Sequence, residues 1–378
     1  MLYLDHAATT PVLPEALQAA WPFLTSEYGN PSSSHEMGHR AKNALDWARA
    51  SCAAKLGCSP DEIIFTSGGT ESNNLAIKGL ALGNPRGKHI ISAATEHSSV
   101  LEVLRYLELA HGFEITFLPV GADGSVSVSS LESAIRADTT LVTLMLANNE
   151  IGTVHDLAAL ASVTKAHKVP FHTDAVQCAG WFDLNVAELG VDALSLSGHK
   201  FGAPKGSGLL YVRSRFALEL VLHGGGQEHG YRSGTQNVAW AVAMATALNA
   251  LPDPALARSK TSAVTSAFID AVLTNHQIAA LSGPQPGTGK RHPAIASFTF
   301  AGINGETLLL ELENAGVSCS SGSACAAGST DPSHVLVATG MDVDQCRTAV
   351  RFSFSHDASS DEAAQALRAL EIALARLG

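Results

Sequence analysis

Two stretches decide the fold: Pro170-Phe-His-Thr-Asp174-Ala-Val-Gln177 and, a little further on, Ala193-Leu-Ser-Leu-Ser197-Gly-His-Lys200. Each is a short run of apolar and small residues that stops at polar groups, Asp174 and Gln177 in the first, Ser197 to Lys200 in the second. Such runs read as buried strands. Working outward, Glu62 to Thr66, His89 to Ala93, Ile115 to Val120, Leu141 to Ala147 and Gly208 to Val212 have the same character. Helical patterns over Glu71 to Leu80, Ser98 to Ala110 and Asp156 to His167 lie between several of them. The alternation predicts an α/β fold, a mostly parallel sheet of seven strands with helices on both faces.

After the helical run Asn237 to Leu251, Leu251-Pro-Asp-Pro-Ala255 breaks the pattern and reads as a hinge. Strand-like segments then become sparser, at Ala294 to Ala301, Val317 to Cys319 and Ala349 to Ser353, with helices over Gly305 to Asn314 and from Ser359 onward. This region is expected to form a smaller α+β domain.

Composition limits what such a fold can do. The 378 residues suggest about two domains. With 46% hydrophobic and 16% charged residues, the chain is neither disordered nor fibrous. Lys and Arg number 24 against 35 Asp and Glu, a net charge of -11, which argues against a nucleic-acid groove or an anionic membrane surface. The opening residues carry no basic segment followed by an apolar one, and no run reaches the length of a membrane span, so a soluble, cytoplasmic protein is expected. None of the six cysteines forms a CxxC pair, and neither HExxH nor paired-ligand spacing occurs, so no disulfide framework and no metal is expected.

Several residues suit a particular chemistry. Ser67-Gly-Gly69-Thr70-Glu71 falls where a strand gives way to a helix, so it is either an anion cup of free N–H groups or a glycine turn capped by Thr70. Asp174 at a strand end is either a half-buried functional carboxylate or a helix cap. Lys200, among small residues at the next strand end, is either a solvated charge or an amine kept partly neutral by desolvation. The three converge on the carboxyl edge of one parallel sheet, where such folds bind ligands. Pyridoxal phosphate needs each: an anchor for its phosphate, a carboxylate to keep its ring nitrogen protonated, and an amine to tether its aldehyde. His97, at another strand-to-helix junction, is either a helix cap or satisfied polar residue, or an imidazole that stacks on that ring.

Two further features lie toward the C-terminus. Cys325 sits in eleven consecutive small or polar residues, Ser320 to Thr330, which suits a mobile, exposed nucleophile. Asp331-Pro332 after it reads as a helix start, with Asp331 capping. Cys52, Cys58, Cys178, Cys319 and Cys346 read as core. Arg351, alternating with apolar neighbours in a strand, wants a carboxylate, either a substrate's or that of a structural salt bridge.

At this point the chain resembles the cysteine desulfurases of the NifS/IscS type, within the class V aminotransferases of fold type I. The likeness runs nearly end to end through Tyr3 to Pro11, Gly29-Asn-Pro-Ser32 with Ser34-His35, Thr66 to Asn74, Thr95-Glu-His97, Asn148-Asn-Glu-Ile-Gly152, His172 to Gln177, Ser197 to Gly202, Arg232-Ser-Gly-Thr235 and Ser321-Gly-Ser-Ala-Cys325. It implies the pyridoxal-phosphate-dependent transferase fold, with a large domain over 16–253 and a small one from 1–15 plus 254–378 that carries the catalytic cysteine loop. It implies pyridoxal 5'-phosphate bound to Lys200, Asp174 on the pyridine nitrogen, Gln177 on the ring hydroxyl, and His97 stacked on the ring and aiding proton transfer. Gly69, Thr70, Ser197 and His199 would hold the phosphate, with Thr235 reaching it from the other subunit of a homodimer. Asn149 and Arg351 would grip the substrate carboxylate, and Cys325 would accept sulfur from L-cysteine, leaving alanine and a persulfide. Its partners would be sulfur acceptors, either an iron–sulfur scaffold or a tRNA-thiolation enzyme. A selenocysteine lyase or another class V enzyme is the alternative activity, and a catalytically silent scaffold the alternative class. His155, Ser355, Ala326-Ala327 and Cys319 depart from the family pattern.

Overall fold

The computed structural model describes residues 1–83, 86–321 and 331–378. The chain opens with a two-residue strand, β1 (Leu2–Tyr3), before the central sheet begins. That sheet consists of β2 (Ile63–Thr66), β3 (His89–Ala93), β4 (Glu114–Leu118), β5 (Thr139–Thr143), β6 (Phe171–Asp174), β7 (Ala193–Ser197) and β8 (Gly208–Val212). Its spatial order is β2-β8-β7-β6-β5-β3-β4. Neighbours from β3 to β7 pair in parallel, while β8 runs antiparallel to both β7 and β2. The seven-stranded, mostly parallel sheet is the one the apolar runs predict. Because β2 is reached through an antiparallel partner, it points the same way as β7.

The period of two along each strand divides the core into two layers. Ile63, Ile91, Val142, Leu194 and Leu209 face one layer. Their immediate neighbours Ile64, Ile90, Leu141, Ala193 and Leu210 face the other. Helices Pro14–Thr25, Glu36–Leu56, Leu157–Ala166 and Val238–Ala250 close the first layer; Gly69–Gly83 and Ser98–His111 close the second. Burial on both faces is why most of these strands read as continuous runs of apolar and small residues rather than as apolar residues alternating with charged ones.

The C-terminal region packs separately around β9 (Ala279–Leu281), β10 (Ile295–Phe300) and β12 (Ala349–Ser353), an antiparallel sheet of order β12-β10-β9. Strand β11 (Val317–Ser318) pairs in parallel with β1, bringing the N-terminus onto this region. Phe268, Phe298, Phe352 and Phe354 meet edge to face at its centre. The Leu251-to-Ala255 break separates Val238–Ala250 from Pro254–Asn275, and Asp253 caps the second helix by accepting from Ala255 and Leu256 N–H at 3.0 Å.

Three local expectations need correcting. The helix after the cysteine loop begins at His334, not at Pro332, because Ser333 is the residue whose hydroxyl accepts from Leu336 N–H. The apolar run from Leu141 is regular strand only to Thr143; Leu144 and Leu146 still donate to His172 and Asp174 carbonyls, but outside a continuous ladder. Cys58 and Cys319 are half-buried rather than core: Cys58 follows the left-handed Gly57 that ends the Glu36–Leu56 helix, and Cys319 lies just past the end of β11. Cys52, Cys178 and Cys346 are buried as expected.

Candidate functional site

Strands β2, β3, β5, β6 and β7 all point the same way, so the segments leaving their carboxyl ends gather along one edge. From β2 comes the turn Ser67-Gly68 and then the N-terminus of the Gly69–Gly83 helix. His97 follows β3 and caps the Ser98–His111 helix, Asn149 lies beyond β5, Asp174 is the last residue of β6, and Ser197 to Lys200 end β7 in a 3-10 turn. These segments line a cavity of about 560 Å³. Gly69, Thr70, Ser197 and His199 reach it, as do His97, Asp174, Gln177 and Lys200, and Asn149 and Arg351 complete the set. The structure thus brings together ten of the twelve expected site residues. Thr235 is exposed and does not line the cavity. Cys325 lies outside the described residues.

The cup at the end of β2 needs backbone to approach backbone. A Cβ on Gly208, the first residue of β8, would stand 2.5 Å from Gly68 Cα, and one on Gly69 would stand 2.8 Å from Val176 Cγ2. With those atoms missing, the first N–H groups of the Gly69–Gly83 helix, which have no intrahelical acceptor, border the cavity. Glu71 Oε2 accepts from Ser67 N–H at 2.8 Å, and Arg232 Nε donates to Glu71 Oε1 at 2.8 Å. Burial works to raise the Glu71 carboxyl, but the bonds from Arg232 and Ser67 outweigh it and hold its pKa below the ordinary value.

Asp174, buried, accepts from Asn73 Nδ2 at 2.7 Å and from Val176 N–H at 2.9 Å. Lys200 Nζ donates to the carbonyls of Ala7 at 2.6 Å and Ala8 at 2.9 Å, and Gln177 Nε2 also donates to Ala7 O at 2.9 Å. The N-terminal segment therefore sets the height of the amine. Burial, followed by the Lys200 and Lys205 charges, lowers the His199 pKa to about 4, so this imidazole is neutral at neutral pH. Arg351 donates to Asn149 O at 2.8 Å and to Asp5 Oδ1 at 2.7 Å, while its buried Nε has no partner among the described residues. Of the two partners the sequence leaves open for Arg351, the structure supplies a structural carboxylate, Asp5.

Both ends of the Cys325 segment are fastened near this cavity. Ser320 and Arg351 exchange backbone hydrogen bonds, with Arg351 N donating to Ser320 O at 2.6 Å. On the far side, Ser333 Oγ donates to Glu150 Oε2 at 2.5 Å and His334 Nε2 to Glu96 O at 2.9 Å. His155, one of the departures, is buried behind the cavity and donates from Nδ1 to Met145 O at 2.9 Å.

The chain matches the family model Aminotransferase class-V over residues 2–366. It belongs to the class V aminotransferase family. Among curated relatives of this family, the chain is 42% identical to Cysteine desulfurase IscS of Dictyoglomus turgidum, an alignment covering 100% of this chain and 95% of the relative. Among solved structures, a NifS-like protein superimposes with a TM-score of 0.90 at 34% identity, covering 99% of both chains. SspA in complex with cysteine superimposes with a TM-score of 0.82 at 37% identity, covering 94% of this chain and 99% of that one.

The family's cofactor is pyridoxal 5'-phosphate, and the residues present fit it. A side-chain-free cradle at a helix N-terminus suits a phosphate, a buried carboxylate suits a protonated ring nitrogen, and an amine held by two carbonyls suits an aldehyde. Among the described residues no group of three His, Cys, Asp or Glu side chains gathers as a metal site, and no helix is long and apolar enough to cross a membrane.

Sequence reasoning on single residues misses Asn73, Ser99 and Asp5. Asn73 and Ser99 give no signal, being ordinary polar residues in the first turns of helices. Asp5 could be found only through the question that Arg351 raises.

Proposed function

We propose that this protein is a cysteine desulfurase that converts L-cysteine to L-alanine and takes the sulfur onto Cys325 as a persulfide. The observation that carries this is the convergence of Lys200, Asp174 and the Gly69 helix terminus on one cavity, in a chain 42% identical to a cysteine desulfurase over its whole length. A structural neighbour in complex with cysteine supports the substrate.

Pyridoxal 5'-phosphate, when bound, supplies an electron sink that lets bonds at the substrate's α carbon break. Lys200 would tether it and, as a free amine, would move protons at the substrate's α and β carbons. Asp174 keeps the ring nitrogen protonated, Gln177 bonds the ring hydroxyl, and His97 stacks on the ring. Gly69, Thr70, Ser197 and His199 hold the phosphate, with Thr235 added from the partner subunit of a homodimer. Asn149 and Arg351 grip the substrate carboxylate. The Cys325 thiolate then attacks the substrate sulfur; a new S–S bond forms as the C–S bond breaks, and a proton delivered to the β carbon completes alanine. Its loop of small residues carries the persulfide outward to an acceptor, an iron–sulfur scaffold or a tRNA-thiolation enzyme, in the cytoplasm. On this reading the chain divides into a large domain over 16–253 and a small one from 1–15 plus 254–378, and the separate packing around Phe268 and Phe352 supports it.

The test is incubation with L-cysteine and a reductant, quantifying alanine and sulfide. Wild type yields the two in equal amounts; Lys200→Ala yields essentially none and loses the visible absorbance of the tethered cofactor. Cys325→Ala also loses alanine formation from cysteine. Retention of selenium release from selenocysteine in that variant, without any turnover of cysteine by the wild type, moves the assignment to a selenocysteine lyase.

A further inference from the structure

A line of buried side chains joins Asp174 to His97. Asn73, fully buried on the Gly69–Gly83 helix, donates one amide hydrogen to Asp174 Oδ2 at 2.7 Å and another to Ser99 Oγ at 2.9 Å. Ser99 Oγ lies 2.8 Å from His97 Nδ1, and the Ser99 backbone N–H donates to the same nitrogen at 3.1 Å. The directions follow from the groups themselves. A backbone N–H only donates, so Nδ1 is the nitrogen without a proton. The Ser99 hydroxyl accepts from Asn73 and so turns its own hydrogen toward Nδ1. Every hydrogen in the line therefore points away from the Asn73 amide, toward Asp174 at one end and His97 at the other. A proton on Nδ1 would face the Ser99 N–H, two donors set against each other.

We propose that Asn73 and Ser99 are positioning residues that fix His97 with its proton on Nε2 and, through the same amide, fix the carboxylate of Asp174. The inference rests on the proposed function, in which both His97 and Asp174 meet the cofactor. It also sharpens that function. A ring with Nε2 protonated and Nδ1 engaged has no lone pair left to act as a base, so proton removal from the substrate falls to Lys200. The couple is physical: one side chain, Asn73, spans from Asp174 to Ser99, whose hydroxyl reaches the His97 ring.

The test reads the tautomer directly. Histidine labelled with nitrogen-15, in the cofactor-loaded protein and in protein stripped of cofactor, is observed by long-range proton–nitrogen NMR, with His97 assigned by its loss in His97→Gln. In both forms the wild-type spectrum is expected to show Nε2 protonated and Nδ1 unprotonated. Ser99→Ala, which removes the hydroxyl but leaves the N–H, is expected to shift the ring toward a mixture of tautomers and to lower kcat about fivefold with little change in KM, the loss of one hydrogen bond. Asn73→Ala is expected to weaken cofactor binding about tenfold, as Asp174 loses a bond to its charged form. A wild-type ring protonated on Nδ1, or a Ser99→Ala spectrum and kcat identical to wild type, overturns the proposal. Failure of the functional assignment shows differently: the tautomer is as expected while no alanine forms from cysteine.

Discussion

Arg351 is paired before any substrate arrives. Its guanidinium is almost wholly buried, and Asp5 and the Asn149 carbonyl already take two of its donors, while Nε has no partner among the described residues. A substrate carboxylate at this arginine therefore competes with Asp5. Asp5→Asn is expected to lower stability by about 1–3 kcal/mol, because a buried cation loses its counter-charge, and at the same time to lower KM for cysteine. Thermal denaturation with and without saturating L-alanine checks it: the amino acid should restore more stability to the variant than to wild type. A higher KM in Asp5→Asn would show that Asp5 aligns the guanidinium instead of competing for it. The sequence exposes the need of Arg351 for a carboxylate, because a charged residue in an apolar strand must be neutralised. It does not say which carboxylate, since Asp5 lies at the opposite end of the chain.

Among the elements, the irregular segment that carries Thr235 is held by an ion pair. Glu228 and its neighbour His229 adopt left-handed backbone, with φ of 50° and 57°. Arg49, on the Glu36–Leu56 helix, donates to both oxygens of Glu228 at 2.7 and 2.8 Å; Phe65 N–H and Gln236 Nε2 donate to it as well. Both charged side chains are buried, so removing one leaves the other uncompensated. Glu228→Ala is expected to cost about 3–5 kcal/mol, read as a lower denaturation midpoint. Because Phe65 precedes the cup at the end of β2, the variant should also bind pyridoxal phosphate more weakly. The helix bearing Arg49 is hard to see in the sequence for a physical reason. Its buried stripe, Ala41, Leu45, Ala48, Cys52 and Leu56, has helical spacing but alternates leucine with small residues and is flanked by the buried charge of Arg49, so its apolar period is faint. The stripe of Pro254–Asn275 includes Thr261 and Thr265 and is faint in the same way. Most strands of the central sheet are legible because burial on both faces keeps them compact runs of apolar and small residues, with the polar ones, such as His172 and Thr143, paired to each other.

At the scale of the molecule, buried neutral histidines tie stability to pH. His172 bonds Thr143 and Ser195 hydroxyls within the central sheet, and His292 donates to the Gln177 carbonyl between the two cores. Burial lowers the pKa of each to about 3. In the unfolded chain they take up protons near the ordinary value of 6.5, so below that pH the unfolded state binds more protons than the folded one. Their contribution is complete above about pH 6.5 and is lost as pH falls toward 3, each removing about 1.4 kcal/mol per unit. Denaturation midpoints should therefore drop from about pH 7 to about pH 5, and His172→Gln should flatten the slope. A midpoint that does not move over that range contradicts this. The floor beneath the Lys200 amine has a different consequence. Ala7 N–H is held by the Ser353 hydroxyl at 2.9 Å, and Leu2 and Leu4 N–H by carbonyls at Gly316 and Ser318. Ala7 and Ser353 stand 346 residues apart along the chain, so the support under the amine exists only once that long loop has closed, and the vitamin-derived ligand can be seated only by the folded whole.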